Sequence, residues 1–278
     1  EGDYILAVNG NSTASVPNIY QLLVGTAGKE TELTVNSQPS PDGARKVVVT
    51  PIADEAGLYY YNWVQDNIRK VSEASNGEIG YIHIPDMGRE GLNEFVKHFY
   101  PQLNKRALII DVRGNGGGNV SPMIIERLGR QLVMLDIARN TAPYQNPEDM
   151  HVGPKVVLMD QWSASDGDIF PYRFKTLKMG TLIGQRSWGG VVGIRGSLPL
   201  VDGGYLMKPE FAPYDREGRK WVIEGHGVDP DIVVVNDPAR EFKGIDDQLN
   251  KAIEVLKEQL KNYPKELPGP PPWKDKSK

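Results

Sequence analysis

One serine in this chain stands where a strand turns into a helix, and that junction is where a nucleophile can be built. Residues 155–159, Lys-Val-Val-Leu-Met, form a short apolar run with two β-branched valines, the pattern of a buried strand. Residues 160–165 are mostly small or polar, and from Asp166 the apolar Ile169, Phe170, Phe174 and Leu177 recur at helical spacing. Such a turn projects one side chain at the end of a sheet. It also places the next backbone N–H groups at a helix N-terminus, where they can hold an oxyanion. Ser165 is the candidate nucleophile. Read alone, Ser-Ala-Ser-Asp at 163–166 is first of all a helix cap, because a serine hydroxyl satisfies an orphan N–H. The chemical reading therefore needs support from elsewhere in the chain.

That support comes from Asp111-Val112-Arg113-Gly114-Asn115-Gly116-Gly117-Gly118-Asn119, which follows an apolar run and precedes a helical pattern. Glycines let the backbone take unusual dihedrals and approach a ligand closely. Exposed N–H groups at a helix start suit an anion or a developing oxyanion. The alternatives are a plain flexible connection and a phosphate loop, although the Lys-Ser/Thr of a P-loop is absent and Gly-Xaa-Gly-Xaa-Xaa-Gly is not matched. A glycine loop and a serine at the ends of two strands of one parallel sheet would share its carboxyl edge.

The elements that position these residues read as α/β. Strands are expected at 78–84, 107–112, 133–137 and 155–159, with helices at 58–76, 91–103, 120–128 and from Asp166 between or around them. This alternation implies right-handed parallel crossovers. A β-rich part follows at 181–183, 191–198 and 204–208, then a helix over 246–263 with Leu249, Ile253, Leu256 and Leu260 on one stripe. The tail 264–278, rich in proline and lysine, reads as extended or mobile. At the other end, strands at 1–10, 32–36 and 46–50 and a helix at 16–24 make a separate small unit.

Composition narrows the partners. The 278 residues carry a formal net charge of −4 with no Lys/Arg cluster, which speaks against nucleic acid. No apolar run approaches the roughly 18–20 residues of a membrane span. With no cysteine, disulfides, thiolate metal sites and Cys nucleophiles are excluded. The four histidines are scattered without the spacing of a zinc site, so neither a metal nor a cofactor is expected.

Gly-Asp-Xaa-Ile-Xaa-Xaa-Val-Asn-Gly at 2–10 and its strand–helix–strand–strand order resemble the second half of a PDZ domain. Asp-Xaa-Arg-Xaa-Asn-Gly-Gly-Gly-Asn at 111–119, Ser-Ala-Ser-Asp-Gly-Asp at 163–168 and Gly-Thr-Leu-Ile-Gly at 180–184 resemble the tail-specific (C-terminal-processing) serine peptidases. Arg-Ser-Trp-Gly-Gly-Val-Val-Gly-Ile at 186–194 and Glu-Gly-His-Gly-Val-Asp-Pro-Asp at 224–231 narrow the resemblance to the tricorn protease branch. It implies half a PDZ domain at 1–52, a crotonase-like α/β peptidase core at 53–263 with a β-rich C-terminal part, and the tail at 264–278.

By resemblance, Ser165 attacks the scissile carbonyl. The N–H of Asp166 and that of Gly117 or Gly118 form the oxyanion hole, spacing leaving both glycines open. Glu224 is the acidic residue that orients the catalytic groups, and Asp136 roughly matches the acid that lines the S1 pocket and favours a basic P1 residue. Ordinary tail-specific peptidases place a lysine base at the position of Gly190, and no lysine lies between Lys178 and Lys208. In the tricorn branch the base is a histidine upstream of the PDZ domain, outside this chain. Of the histidines present, His83 is expected in the core or behind the site, His98 exposed on a helix, His151 in a polar loop, and His226 is the only substitute base to consider. The family further implies peptide or unfolded-polypeptide substrates and a homo-oligomer, a hexamer in tricorn relatives. It suggests a cytoplasmic location, with periplasmic or secreted as the alternative. Rival readings are a catalytically incomplete peptide-binding module and a crotonase-like acyl-CoA enzyme. The latter has an oxyanion hole but neither a nucleophilic serine nor a PDZ domain.

Overall fold

The computed structural model describes residues 2–272; of the tail, positions 273–278 lie outside the described residues, and 264–272 carry no helix or strand. Two compact units divide between Trp63 and Val64. In the first, β1 (Tyr4–Val8), β2 (Asn11–Ser12), β3 (Thr31–Asn36) and β4 (Arg45–Val49) form an antiparallel sheet in the order β2-β1-β3-β4. Asn9 and Gly10, both at positive φ, make the turn between β1 and β2, and the Asn9 side chain accepts the Glu32 N–H at 2.9 Å. The helix expected over 16–24 shrinks to α1 (Tyr20–Leu23). Pro17 is the reason: it keeps Val16 extended, at φ −130° and ψ 145°.

Helix α2 (Ala56–Ala74) runs through the boundary between the units. The second unit is organised on β5 (Ile79–His83), α3 (Arg89–Phe99), β6 (Ala107–Asp111), α4 (Ser121–Leu128), β7 (Met134–Asp136), β8 (Tyr144–Asn146), β9 (Lys155–Met159), α5 (Asp166–Thr176), β10 (Thr181–Gly184), β11 (Gly193–Pro199), β12 (Tyr205–Phe211), β13 (Ile232–Val233), α6 (Pro238–Glu241) and α7 (Asp247–Lys261). Its main sheet is wholly parallel, in the order β13-β10-β9-β6-β5. Alternate side chains of β6 and β9 enter opposite layers. Leu108, Ile110, Val157 and Met159 pack with Phe170 and Phe174 of α5, whereas Ile109, Val156 and Leu158 pack with Leu249 and Leu256 of α7. Both faces are covered, which is why these strands read as unbroken apolar runs. Phe170 and Phe174 are fully buried, each contributing on the order of 2–3 kcal/mol, and they anchor α5 beneath its N-terminus.

The strand expected at 133–137 does not join this sheet. As β7 it pairs antiparallel with β8, in a separate two-stranded ribbon. Val133 and Met134 are exposed, and a strand with that face in water cannot occupy a sheet covered on both sides. The hairpin β11–β12 likewise forms its own ribbon. Among the described residues no helix is long and apolar enough to cross a membrane.

His98 departs from expectation, while His151 lies in a loop as expected. His98 is buried rather than exposed, because α3 turns it inward beside Phe95 and Phe99, with Glu94 Oε2 3.2 Å from its Nε2. His151 is also buried, its Nε2 donating to the Lys105 carbonyl at 2.9 Å. Burial, reinforced by the nearby Lys155 ammonium, lowers its pKa to about 3. In the unfolded chain the ring takes a proton below about pH 6.5, and in the folded protein only near pH 3. The unfolded state therefore binds more protons throughout that window, and stability must fall as the pH drops through it. Urea unfolding at stepped pH is expected to give a shallower acid decline for His151→Gln than for the parent; an unchanged slope would remove His151 as the cause.

Candidate active site

Sheet register brings the loops together. His83 pairs with Asp111, Asp111 with Leu158, and Gly184 with Met159, so the segments after β5, β6, β9 and β10 all leave at one carboxyl edge. Ser165 occupies the N-cap of α5 at that edge with φ 54° and ψ −120°. A non-glycine residue held there stores about 1–3 kcal/mol. Its residue is exposed, and its hydroxyl makes no capping hydrogen bond. Ser165 thus has the position of a cap, but its hydroxyl does not act as one.

The glycine loop lies against this turn. Ala164 N–H donates to the Asn115 carbonyl at 2.8 Å, and the buried Asn115 amide donates to the Ile84 carbonyl at 2.9 Å. A Cβ on Gly117, whose φ is 102°, would lie 2.6 Å from Ser165 Cβ and 3.1 Å from the Asp166 nitrogen. A Cβ on Gly118 would lie 2.0 Å from the Met87 carbonyl oxygen. Only glycine permits this approach. The Gly117 N–H is already committed, donating to Asn115 Oδ1 at 3.0 Å. Among the described residues the N–H groups of Asp166 and Gly118 have no partner. Two unpaired donors and an unpaired hydroxyl thus lie on two loops packed against each other, an arrangement able to bind a carbonyl oxygen while its carbon is attacked.

Buried polar contacts hold the loops in place. The fully buried Asp111 carboxylate is bridged by Arg113, with Nε to Oδ1 at 3.0 Å and Nη2 to Oδ2 at 2.6 Å, and accepts the Tyr81 hydroxyl at 2.8 Å. Burial alone would raise the Asp111 carboxyl, but the Arg113 guanidinium outweighs it and holds the carboxyl below its usual range. Arg113 continues to Asp246, the N-cap of α7, at 2.9 Å. Ser163 donates to the Val112 carbonyl at 2.8 Å, and Asp160 accepts the Gly114 N–H at 3.0 Å, joining the two loops directly.

Glu224 sits in the turn after Ile223 and accepts the N–H groups of Val191 and Val192, at 2.6 and 2.9 Å, with a single oxygen. Asp136 stays within the β7–β8 hairpin, accepting the Asn146 amide at 2.7 Å. Neither carboxylate is hydrogen-bonded to Ser165. The His226 ring is engaged by Asp229 at 2.7 Å and Arg186 at 3.4 Å, not by Ser165. His83 is buried behind the loop, 3.3 Å from the Arg113 carbonyl, and burial lowers its pKa. At Gly190 a Cβ would meet the Trp188 ring at 1.9 Å, leaving no room for any longer side chain in this arrangement.

Sequence reasoning missed Asn115, Asp160 and Asp168 as organisers of the edge. Asp168 is fully buried and accepts the Gly189 and Gly190 N–H groups at 2.8 and 3.3 Å. Its place three residues after Ser165, the spacing of a capping box, was the available signal. Burial pushes its carboxyl up, against the pull of the donors around it.

Comparison with known proteins places this arrangement. The family model described as "Tricorn protease PDZ domain" matches residues 1–54, and "Peptidase family S41" matches residues 78–234. The chain is 41% identical over 268 residues to tricorn protease homolog 1 of Streptomyces coelicolor, covering 96% of this chain and 25% of the relative. It is 39% identical to the tricorn protease of Thermoplasma acidophilum, covering 97% of this chain and 25% of that protein. A crystal structure of the tricorn protease superposes with a TM-score of 0.86 at 39% identity, covering 94% of this chain and 25% of that one. The chain thus spans about a quarter of the length of these relatives. The family is that of serine-type hydrolases, and with the S41 model matching more than half of its residues, the chain belongs to peptidase family S41, with a PDZ domain of tricorn type.

Proposed function

We propose that this chain carries the nucleophile and oxyanion hole of a tricorn-type serine peptidase that cuts peptides or unfolded segments. One observation carries the reading: the strained, exposed Ser165 has an uncommitted hydroxyl beside the unpaired N–H groups of Asp166 and Gly118. Ser165 Oγ attacks the scissile carbonyl carbon and gives its proton to a base. The oxyanion is held by the Asp166 and Gly118 N–H groups, Gly118 being preferred to Gly117 because Asn115 already occupies the latter. The C–N bond then breaks, the amine leaves with the proton, and water hydrolyses the acyl-enzyme.

The base is proposed to be a histidine outside this chain. Neither His83 nor His226 is bonded to Ser165, and the lysine position of ordinary tail-specific enzymes is Gly190, packed under Trp188. Glu224, bound to the 187–192 loop through one oxygen, would orient the catalytic groups through a serine outside this chain. Asp136 would bias the P1 site towards basic residues. The parallel sheet in sequential strand order, with backbone donors at one edge, supports a crotonase-like core. Assembly as a homo-oligomer, a hexamer as in tricorn relatives, belongs to the same proposal.

Intact mass after fluorophosphonate treatment tests it. A chain extended upstream to include the proposed histidine is expected to gain one adduct, and its Ser165→Ala variant none. An adduct on both, or on neither, would sink the reading.

A further inference from the structure

We propose that Asp168 is the positioning residue of the nucleophile: its carboxylate takes the N–H groups of Gly189 and Gly190 at 2.8 and 3.3 Å, its own N–H donates to the Ser165 carbonyl at 2.9 Å, and it so holds Ser165 in its left-handed conformation with the hydroxyl uncommitted. The inference rests on the serine-peptidase reading above and adds a residue to it.

With Ser165 at the N-cap, Asp168 is the third residue of α5. In an ordinary capping box the two side chains act reciprocally: the acid reaches back to the cap N–H, and the serine hydroxyl caps the third N–H. Here the serine's half is not made. The Asp168 N–H is satisfied by the Ser165 carbonyl at 2.9 Å, which releases the serine hydroxyl from the helix end. The conformation that allows this is unfavourable for serine, so something must over-determine it. Asp168 fits that task, being fully buried with donors converging on both of its oxygens.

The same carboxylate fixes the facing loop. Trp188 N–H donates to the Ser163 carbonyl at 2.9 Å, and Ser187 N–H to the Val228 carbonyl at 3.1 Å. Glu224 takes the next two N–H groups, those of Val191 and Val192. Four consecutive N–H groups, from Gly189 to Val192, are therefore held by two carboxylates, one buried and one at the surface. Without the Asp168 charge, the Ser165 turn is free to relax towards a normal cap. The hydroxyl would then swing back to the helix and away from the Asp166 and Gly118 N–H groups.

The test uses the full-length protein and a fluorogenic peptide, with fluorophosphonate labelling rate as a second readout. Asp168→Asn is expected to lower kcat and the labelling rate together by about 10²-fold, the scale of a misplaced reacting group, with KM within about twofold. Ser187→Ala, which frees the Val228 N–H and loosens the loop that the carboxylate holds, is expected to lower kcat by about 2–10-fold with KM unchanged. A loss confined to KM, or kcat within about twofold of wild type in Asp168→Asn, overturns the proposal. Should Asp168→Asn fail to fold, Ser187→Ala decides, an unchanged kcat overturning it. Ser165→Ala separates the two claims. Activity that survives it sinks the peptidase reading, whereas its loss beside an active Asp168→Asn sinks only the positioning role.

Discussion

In a chain extended upstream to supply the proposed base, Ser165→Gly is expected to abolish peptide hydrolysis and, at the same time, to stabilise the protein. Loss of a serine nucleophile costs on the order of 10⁵–10⁶ in kcat when the rest of the site is intact. The stability gain follows from the backbone. At φ 54° and ψ −120° serine stores about 1–3 kcal/mol that glycine does not, and glycine gives back about 0.5–1 kcal/mol in added unfolded-state freedom. Because Ser165 is exposed and its hydroxyl unbonded, little packing is lost. The net expectation is about 1 kcal/mol, or a Tm rise of about 2–4 °C for a unit of this size. Calorimetry and a peptide assay on the same two proteins check both halves. A lower Tm would show that the turn is not strained, and retained turnover would remove Ser165 from the chemistry. The trade-off is the physical signature of a residue held for reaction rather than for folding.

Much of this was legible in the amino-acid sequence, for a definite reason. β6 and β9 are buried on both faces, so their composition alone marks them, and the polar loops after them must meet at one edge. The strand at 133–137 misled because Val133, Met134 and Leu135 carry the same apolar signal without being covered on both sides. Local composition does not say which strand a sheet will admit. His98 was misjudged although its spacing from Phe95 already placed it on the buried face of α3. Gln102 shows what no pattern reveals: its side-chain amide pairs with the N–H and carbonyl of Tyr81, at 3.0 and 2.9 Å, and seals the edge of β5. The proposed preference for Gly118 over Gly117 was likewise beyond the sequence. It depends on Asn115 folding back onto one N–H and leaving the other open. Asp168 lies between these cases, because its capping-box spacing is visible while the release of the serine hydroxyl depends on backbone geometry.

Arg113→Met should be the most damaging substitution for stability around the site, by about 3–5 kcal/mol in urea unfolding, which is a large share of a typical domain's total. The Asp111 carboxylate is fully buried, and among the described residues Arg113 is the one cation hydrogen-bonded to it; the Tyr81 hydroxyl and the Arg113 N–H supply the rest. Removing the guanidinium leaves burial unopposed. It also frees Asp246 at the start of α7, whose Leu249 and Leu256 cover the opposite face of the sheet. The pH dependence gives the sharper check. In the parent, Asp111 is held below its usual range, so its contribution is present above about pH 4 and is lost as the pH falls through the depressed folded value. In Arg113→Met, burial raises the folded pKa instead, and the carboxyl gains stability by taking up a proton as the pH falls. The stability gap between parent and variant must therefore narrow towards acid, whatever the buried histidines contribute to both. A gap that is constant from neutral pH to about pH 4 would mean that the damage is lost packing and not an unpaired charge. In that event the Asp111–Arg113 bridge would not be what fixes the glycine loop against Ser165. Asp111→Asn added to Arg113→Met should recover part of the loss, since a neutral amide keeps the Tyr81 contact without needing a cation.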